Sequence, residues 1–172
     1  MGNPTNHAIS KDLEDVMDTL LWENGPSHAT ILELGSGEGT GRLLERFNVI
    51  SIEHDEKFLG WYDSTYIHAP IEPFRKQCAY FPTDQGWYNR DVLKRELPKH
   101  RYDLILVDGP PNAIGRGGFY KWRMLFDLEV PIVVDDIHRE RERKMIGLLS
   151  RELRRPYLVY AWSKRRHFGV IV

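Results

Sequence analysis

The glycine-rich stretch at residues 31–41, ILELGSGEGTG, constrains the fold of this chain more than any other feature. Its apolar residues predict a strand that ends at Leu34, and glycines follow at positions 35, 37, 39 and 41. Glycines let the backbone approach a ligand closely, and the helix predicted after them offers unpaired backbone N–H groups to that ligand. The stretch therefore predicts a site for a nucleotide-like cofactor. The alternative is a tight turn of purely structural value.

Strand and helix candidates alternate along the chain. A helix is predicted first, because apolar residues recur at helical spacing from Leu13 to Leu21 behind the N-cap residue Ser10, and Pro26 ends the connection that follows. The strand candidates are residues 30–34, 49–53, 65–68, 102–108 and 130–135, and the helix candidates between them are 40–46, 56–61, 91–97 and 119–126. This alternation predicts a parallel sheet covered on both faces.

The C-terminal part of the chain predicts how that sheet ends. After a charged helix at residues 137–154, two apolar runs at 157–162 and 167–172 are separated by four residues only. Such strands must pair as an antiparallel hairpin, since a parallel crossover needs a dozen residues or more. We therefore predict an α/β fold, Rossmann-like and doubly wound. Its mostly parallel seven-stranded sheet would end in a C-terminal antiparallel hairpin, with helices on both faces. Residues 69–90 receive no assignment.

Composition limits the class of protein. A chain of 172 residues is predicted to form a single domain, residues 1–172. Its net charge of -1 argues against a globally basic nucleic-acid binder, and Cys78, the only cysteine, allows neither an intrachain disulfide nor a cysteine-rich zinc site. Residues 1–12 are polar and no long apolar run is present, so we expect neither a signal peptide nor a membrane span, and a cytoplasmic location.

An acidic residue supports the cofactor interpretation. Glu53 ends the second strand candidate 18 residues after Gly35, close to the spacing of about 20 at which an acid binds ribose hydroxyls in dinucleotide folds. A nicotinamide dinucleotide and S-adenosylmethionine both fit a glycine turn followed by an acid. The dinucleotide pattern Gly-x-Gly-x-x-Gly is not met, because Gly35, Gly37 and Gly39 alternate and Thr40 occupies the sixth position.

The chain resembles the class I S-adenosylmethionine-dependent methyltransferases in three features: this glycine spacing, Glu33 ahead of it and the terminal hairpin. The resemblance implies that Glu33 helps hold the methionine end of the cofactor and that Glu53 holds the ribose. It also implies that His54 packs against adenine, the alternative being a surface histidine. The acid that many members carry after the third strand is missing, so adenine recognition falls to backbone groups, Ile71 or the segment that follows. The implied cofactor-binding residues are Glu33, Gly35, Ser36, Gly37, Gly39, Thr40, Glu53, His54 and Asp108.

Three acidic residues follow the next two strand candidates. Asp108 ends the fourth, and Asp135 and Asp136 end the fifth, so all three should converge at the carboxyl edge of a parallel sheet. Carboxylates in one crevice repel one another unless a cation lies among them, and oxygen ligands of this kind suit Mg²⁺.

This arrangement resembles the metal-dependent O-methyltransferases of the catechol and macrolide sugar type. The resemblance implies that Asp108, Asp135 and Asp136 bind the metal, which lowers the pKa of the acceptor hydroxyl and orients its oxygen, so that Asp108 counts as catalytic. The catechol enzyme's lysine base corresponds to Pro111, which leaves His138 as the candidate base. The alternatives are a helix N-cap for Asp136 and a surface position in the first helical turn for His138.

The loop after Asp108 predicts the substrate side of the site. Arg116 lies there among glycines, where it would hold an anionic group of the substrate, pair with the acidic cluster, or face solvent. Trp87 and Tyr88 would stack on the acceptor or pack in the core.

The sequence as a whole predicts methyl transfer from S-adenosylmethionine to a hydroxyl oxygen of a glycan or small molecule, assisted by a divalent metal. The alternatives are an NAD-linked oxidoreductase and a non-catalytic nucleoside-binding scaffold that binds RNA. Homo-oligomers are expected if a neighbouring subunit holds part of the acceptor. The basic residues of a scaffold surface would be Arg139, Arg141, Arg143, Lys144, Lys164, Arg165 and Arg166, although alternating Arg and Glu also fits a solvated helix.

Overall fold

A computed structural model describes residues 10–22, 29–163 and 166–172 of the protein. Pro26, Lys164 and Arg165, for which the sequence made predictions, lie outside these ranges. The strands are β1 Thr30–Leu34, β2 Asn48–Glu53, β3 Thr65–His68, β4 Ile71–Pro73, β5 Gly86–Tyr88, β6 Leu104–Val107, β7 Ile132–Val134, β8 Tyr157–Ser163 and β9 Arg166–Ile171. The α-helices are α1 Lys11–Leu20, α2 Glu38–Leu44, α3 Arg90–Glu96, α4 Gly117–Lys121 and α5 Glu140–Leu153.

Seven strands form the main sheet in the order β3-β2-β1-β6-β7-β9-β8. All neighbouring strands up to β7 are parallel, whereas β9 is antiparallel to both β7 and β8. Every residue of β6 and β7 is buried, as expected for central strands covered on both faces. The predicted fold class, including the C-terminal hairpin, is confirmed.

Helices cover both faces of this sheet. On one face α1 buries Leu13 and Met17 in a cluster with Ile31 of β1, and the Ser10 side chain accepts the Leu13 N–H at 3.2 Å, as its predicted N-cap role requires. A second cluster joins Leu32 of β1 to apolar residues of α3, α4 and α5. Side chains on a strand alternate between the two faces of the sheet, so β1 contributes residues to both clusters. The C-terminal end of β1 therefore lies between the two layers of helices.

The unassigned segment at residues 69–90 contains a separate hairpin of β4 and β5, in which Ile71 pairs with Tyr88. The hairpin buries Trp87 and Tyr88, which confirms core packing rather than exposed stacking for both. Helix α4 packs directly on it, since a Cβ at Gly118 would lie 2.3 Å from the Trp87 ring and one at Gly117 would lie 2.2 Å from the Phe81 ring. This close approach requires glycine at positions 117 and 118, which belong to the glycine-rich stretch after Asp108.

Three predicted helices differ from the observed ones. Residues 56–61 contain only the 3₁₀ turn Glu56–Phe58, with Gly60 at a φ of 76° soon after it. The predicted helix at 119–126 is α4 followed by a 3₁₀ turn, and α5 begins at Glu140 because residues 135–138 form a turn in which Asp136 has a φ of 61°. Among the helices of the described ranges, none has the length and apolar character needed to cross a bilayer.

Candidate active site

The glycine loop between β1 and α2 contains glycines of two kinds. Gly35 has a φ of 90°, and a Cβ there would lie 3.0 Å from the Cα of Gly109, so this glycine is required for the close approach of two loops. Gly37 has an extended φ of 178°, and a Cβ there would meet no atom within 4 Å. Packing between the two loops therefore explains why position 35 is a glycine. It does not explain the glycine at position 37, where the space is open to a ligand.

Glu33 supports this loop from inside the protein. Its side chain is buried, and Oε2 accepts hydrogen bonds from Thr40 Oγ1 at 2.8 Å and from Ser51 Oγ at 3.0 Å. Thr40 Oγ1 in turn accepts the Gly37 N–H at 3.0 Å. Burial raises the pKa of Glu33 to about 8, although the hydrogen bonds from Thr40 and Ser51 oppose that rise. The predicted contact of Glu33 with a cofactor stays a prediction.

Glu53 lies at the end of β2, directly across from the glycine loop. Its Oε2 accepts the Ser36 N–H at 2.8 Å, and its Oε1 accepts the N–H groups of His54 and Asp55 at 2.6 and 2.8 Å. The N–H groups of Ser36 and Gly37 are therefore bonded within the protein. That the first turn of α2 offers its N–H groups to a ligand stays a prediction. A carboxylate has about four acceptor positions. Oε2 thus retains room for one more hydrogen-bond donor, such as a ribose hydroxyl.

His54 is half-buried beside a shallow cavity of about 470 Å³. Its ring makes an edge contact with Tyr88, with ring centroids 6.3 Å apart. His68 and Pro70, from the end of β3 and the loop after it, also line this cavity. The structure thus has a cavity beside the end of β3, and adenine binding in it stays a prediction. The histidine and proline lining would have been hard to infer from sequence, because neither residue belongs to a recognisable motif.

Tyr88, for which the sequence left open stacking on the acceptor or packing in the core, lies next to the loop after Asp108. It is fully buried, and its hydroxyl has no hydrogen-bond partner among the described residues. That hydroxyl lies beside Gly109, where a Cβ would be 2.5 Å from it. Burial, and after it the charge of Glu53, raise the pKa of Tyr88 well above its usual value. Tyr88 therefore brings an unpartnered O–H donor close to Glu53 and the loop after Asp108.

The three acids at the ends of β6 and β7 converge as predicted. One carboxylate oxygen from each of Asp108, Asp135 and Asp136 lies within 4.8 Å of the other two. Burial raises the pKa of Asp108, the nearby Arg116 lowers it, and the charges of Asp135 and Asp136 raise it further. Because 34% of the Asp108 side chain still contacts solvent, it remains accessible to a second molecule.

Arg116 lies on this cluster with only 5% of its side chain exposed. Its Nη2 is 3.0 Å from Asp108 Oδ1 and 3.3 Å from Asp136 Oδ2, and Nη1 donates to the Asp135 carbonyl at 3.2 Å. Arg139 adds a contact of 2.8 Å to Asp136 Oδ2. Pairing with the acids is thus observed and a solvent-exposed Arg116 is not. Contact of Arg116 with a substrate stays a prediction.

The carboxylates fit a divalent cation by donor type and spacing, since Mg²⁺ binds oxygen ligands at about 2.0–2.1 Å. Arg116, however, already contacts two of the three. A metal at these oxygens would therefore have to exchange with a guanidinium that is part of the folded protein.

The turn before α5 places Asp136 and His138. The N-cap of α5 is Arg139, so the alternative of a helix cap for Asp136 is wrong. His138 lies ahead of the helix rather than in its first turn. Its Nδ1 is buried, 3.8 Å from Asp136 Oδ1, and has no hydrogen-bond partner among the residues that the structure describes. This position fits a proton acceptor beside the acids, and that role stays a prediction.

Asp84 is a buried acid that the sequence gave no reason to single out. Its Oδ2 accepts the Gly117 N–H at 2.6 Å, and its Oδ1 pairs with Arg141 Nη1 at 3.0 Å. Asp84 therefore ties the loop that carries Arg116 to helix α5. Arg141, a candidate for the basic surface, is engaged in this internal contact instead.

We expect Asp84→Asn to lower the free energy of unfolding by about 2 kcal/mol, because the Arg141 guanidinium loses its buried charged partner. Urea denaturation followed by tryptophan fluorescence measures the change. Asp15→Asn, at an exposed position of α1, is the matched control and should be neutral. A loss below about 0.5 kcal/mol for Asp84→Asn would contradict the anchoring role.

Comparison with known proteins gives a fold-level answer. No family model matches the chain, and no curated protein matches it in a sequence search. Among solved structures, the methyltransferase PaMTH1 from Podospora anserina, bound to S-adenosylhomocysteine (SAH), is 16% identical with a TM-score of 0.57, covering 95% of this chain and 79% of that one. The N-terminal domain of human METTL16 is 13% identical with a TM-score of 0.57, covering 99% of this chain and 71% of that one.

A third structure is the MycE methyltransferase from the mycinamycin biosynthetic pathway, in complex with Mg and SAH. It is 13% identical with a TM-score of 0.51, and the match covers 92% of this chain but 45% of MycE. The chain has the fold of S-adenosylmethionine-dependent methyltransferases. At these identities the likeness concerns the fold, and the chemistry has to be argued from the site itself.

Proposed function

We propose that the protein is a methyltransferase that moves a methyl group from S-adenosylmethionine to a hydroxyl oxygen of a glycan or small molecule. The observation that carries the proposal is the open space beside Gly37, in an extended loop held between Glu33 and Glu53. This loop lies at the carboxyl edge of the sheet, where open α/β folds bind their ligands.

The residues around the loop fit the parts of the cofactor. Glu53 Oε2 has capacity for a ribose hydroxyl, and the shallow cavity beside His54 suits adenine. The Tyr88 hydroxyl is an available donor near Glu53. When bound, S-adenosylmethionine supplies the electrophilic methyl group.

On the acceptor side, the accessible part of Asp108 would accept a hydrogen bond from the acceptor hydroxyl and orient its oxygen. His138, whose Nδ1 has no hydrogen-bond partner within the described ranges, would take the proton. Before a cation binds, Arg116 would keep the carboxylates in place by pairing with two of them. A divalent cation that exchanges with Arg116 and is held by Asp108, Asp135 and Asp136 would lower the pKa of the acceptor hydroxyl. The MycE structure, which contains Mg, supports including such an ion.

Calorimetric titration with SAH tests the proposal, with NADH as the parallel ligand for the oxidoreductase alternative. We expect saturable binding of SAH and none of NADH. Binding of NADH alone would favour the oxidoreductase, and no binding of either would reject both. Transfer of radiolabel from S-adenosylmethionine to a panel of catechols and oligosaccharides then tests the acceptor class. An SAH-binding protein without transfer to any panel member would favour the scaffold alternative.

Gly37→Ala locates the cofactor. The new methyl group meets no atom of the residues that the structure describes, and φ is extended, so stability should change by less than about 1 kcal/mol. Binding of SAH should weaken at least about tenfold, because the methyl group occupies space that the ligand needs. The control is Gly147→Ala in α5, where a Cβ also meets no atom, and which should leave binding unchanged. Unaltered affinity in Gly37→Ala would show that the ligand does not lie on this loop.

A further inference from the structure

A second cavity, of about 1140 Å³, lies between the β4–β5 hairpin and the α4 region. We call it the hairpin cleft. Its lining comes from residues 72–80, 87, 88, 90, 91 and 120–123. Of the cofactor-site residues, only Tyr88 also lines it. The cleft is large enough for a ligand of nucleotide size, since small-molecule sites usually measure about 300–1,000 Å³.

Cations outnumber acids in this lining, with five Lys or Arg side chains and two acids: Arg75, Lys76, Arg90, Lys121 and Arg123 against Glu72 and Asp91. Both acids have other contacts or face solvent. Glu72 Oε1 accepts a hydrogen bond from Asn89 at 2.8 Å, and the Asp91 side chain is 87% exposed. Arg123 pairs with Glu152, which lies outside this lining, so the excess of cations comes from the other four. The cleft therefore favours an anionic ligand.

Aromatic rings, rather than carboxylates, hold two of these cations. Arg90 Cζ lies 4.4 Å from the centroid of the Trp122 ring, and Lys121 Nζ lies 4.4 Å from that of Phe74 and 5.4 Å from that of Trp122. Among the described residues no carboxylate pairs with Arg90 or Lys121. A cation held against a ring keeps N–H groups for an incoming anion.

Unpartnered donors belong to residues that line the same cleft. The indole N–H groups of Trp87 and Trp122 are buried, and neither has a hydrogen-bond partner in the described part of the chain. Trp87 is 1% exposed, so its N–H cannot rely on bulk solvent. Buried donors of this kind are normally satisfied, and a ligand rich in acceptor oxygens would satisfy them.

We propose that the hairpin cleft binds an organic phosphate of nucleotide or sugar-phosphate size. The phosphate lies against Arg90 and Lys121 with the Trp122 N–H, and the organic part extends toward Trp87. A phosphate group has enough acceptor oxygens for two cations and an indole N–H together. This site is separate from the methyl-transfer site and does not depend on the proposed function.

Calorimetry with uridine monophosphate (UMP) tests the proposal, in a solution saturated with SAH so that the nucleoside site is not the one measured. Ribose 5-phosphate, inorganic phosphate and a uridine hexanucleotide are the further probes. We expect UMP or ribose 5-phosphate to bind more tightly than inorganic phosphate. Tighter binding of the hexanucleotide than of UMP would identify nucleic acid as the source of the phosphate. Equal binding would identify a free organic phosphate.

Arg90→Met and Lys121→Met keep the aliphatic contact with the rings and remove the charge, and each should weaken UMP binding at least about tenfold. Lys99→Met, at an exposed position outside the cleft, is the matched control and should leave affinity unchanged. Affinity for SAH should stay the same in all three variants, so failure here is distinguishable from failure of the proposed function. The proposal is overturned if no phosphate compound binds at millimolar concentration, or if binding persists unaltered when Arg90 and Lys121 are both replaced.

Discussion

Replacing Arg116 by Met is expected to destabilise the protein by about 3 kcal/mol and to make its stability strongly dependent on Mg²⁺. Arg116 is almost fully buried and neutralises Asp108 and Asp136. Without it, three carboxylates whose oxygens lie within 4.8 Å of one another repel. A divalent cation would then replace the missing charge, and at a concentration a hundredfold above its Kd it would restore about 2.7 kcal/mol.

Urea denaturation at pH 7.5, with MgCl₂ varied at constant ionic strength, measures this effect and separates it from salt screening. The wild-type protein should respond more weakly, because a metal there has to exchange with Arg116. Arg155→Met is the matched control. Arg155 also donates to backbone carbonyls, those of the half-buried Leu128 and Val130, but no carboxylate among the described residues forms a salt bridge with it. If Mg²⁺ leaves the Arg116→Met transition unmoved, the three acids do not form a metal site and Arg116 is their permanent counter-ion.

Sequence patterns were sufficient to predict the sheet, because each strand of the main sheet is a local apolar run and the short C-terminal connection allows only a hairpin. The boundaries of β1 and β3 match their predicted ranges. The same reasoning could not place the β4–β5 hairpin. Its strands have three residues each, and its stability comes from packing of Trp87 and Phe81 on the glycines of α4, which are distant in sequence.

The candidate site was predictable where a residue's position follows from the end of a strand. Asp108, Asp135 and Asp136 converge for that reason. The sequence could not predict which side chain pairs with these acids, since the position of Arg116 depends on a loop that Asp84 anchors. Likewise, the glycine-rich turn is recognisable in the sequence, but the acceptors of the Ser36 and Gly37 N–H groups are not. Only the folded chain brings Glu53 and the Thr40 hydroxyl next to them.

Glu33→Gln is expected to remove a large pH dependence of stability. In the folded protein the pKa of Glu33 is raised to about 8 by burial, against an ordinary value of 4.5. Between these two pH values the folded state binds a proton that the unfolded state has released. The stabilisation is therefore complete below pH 4.5 and is lost as pH rises to 8. The free energy of unfolding should fall by about 1.4 kcal/mol for each pH unit, on the order of 5 kcal/mol in all.

Glutamine is the neutral analogue of the protonated side chain, and its carbonyl oxygen can accept the same hydrogen bonds from Thr40 and Ser51. The variant should match the wild type within about 1 kcal/mol at pH 5 and exceed its stability by several kcal/mol at pH 8. Urea denaturation of both proteins at pH 5, 6, 7 and 8 measures the difference, in which the titration of all other groups cancels. Glu129→Gln, at an exposed position, should give a curve parallel to the wild type. A parallel curve for Glu33→Gln as well would mean that Glu33 is ionised in the folded protein at neutral pH. Its charge would then have to be balanced by a cation at the glycine loop.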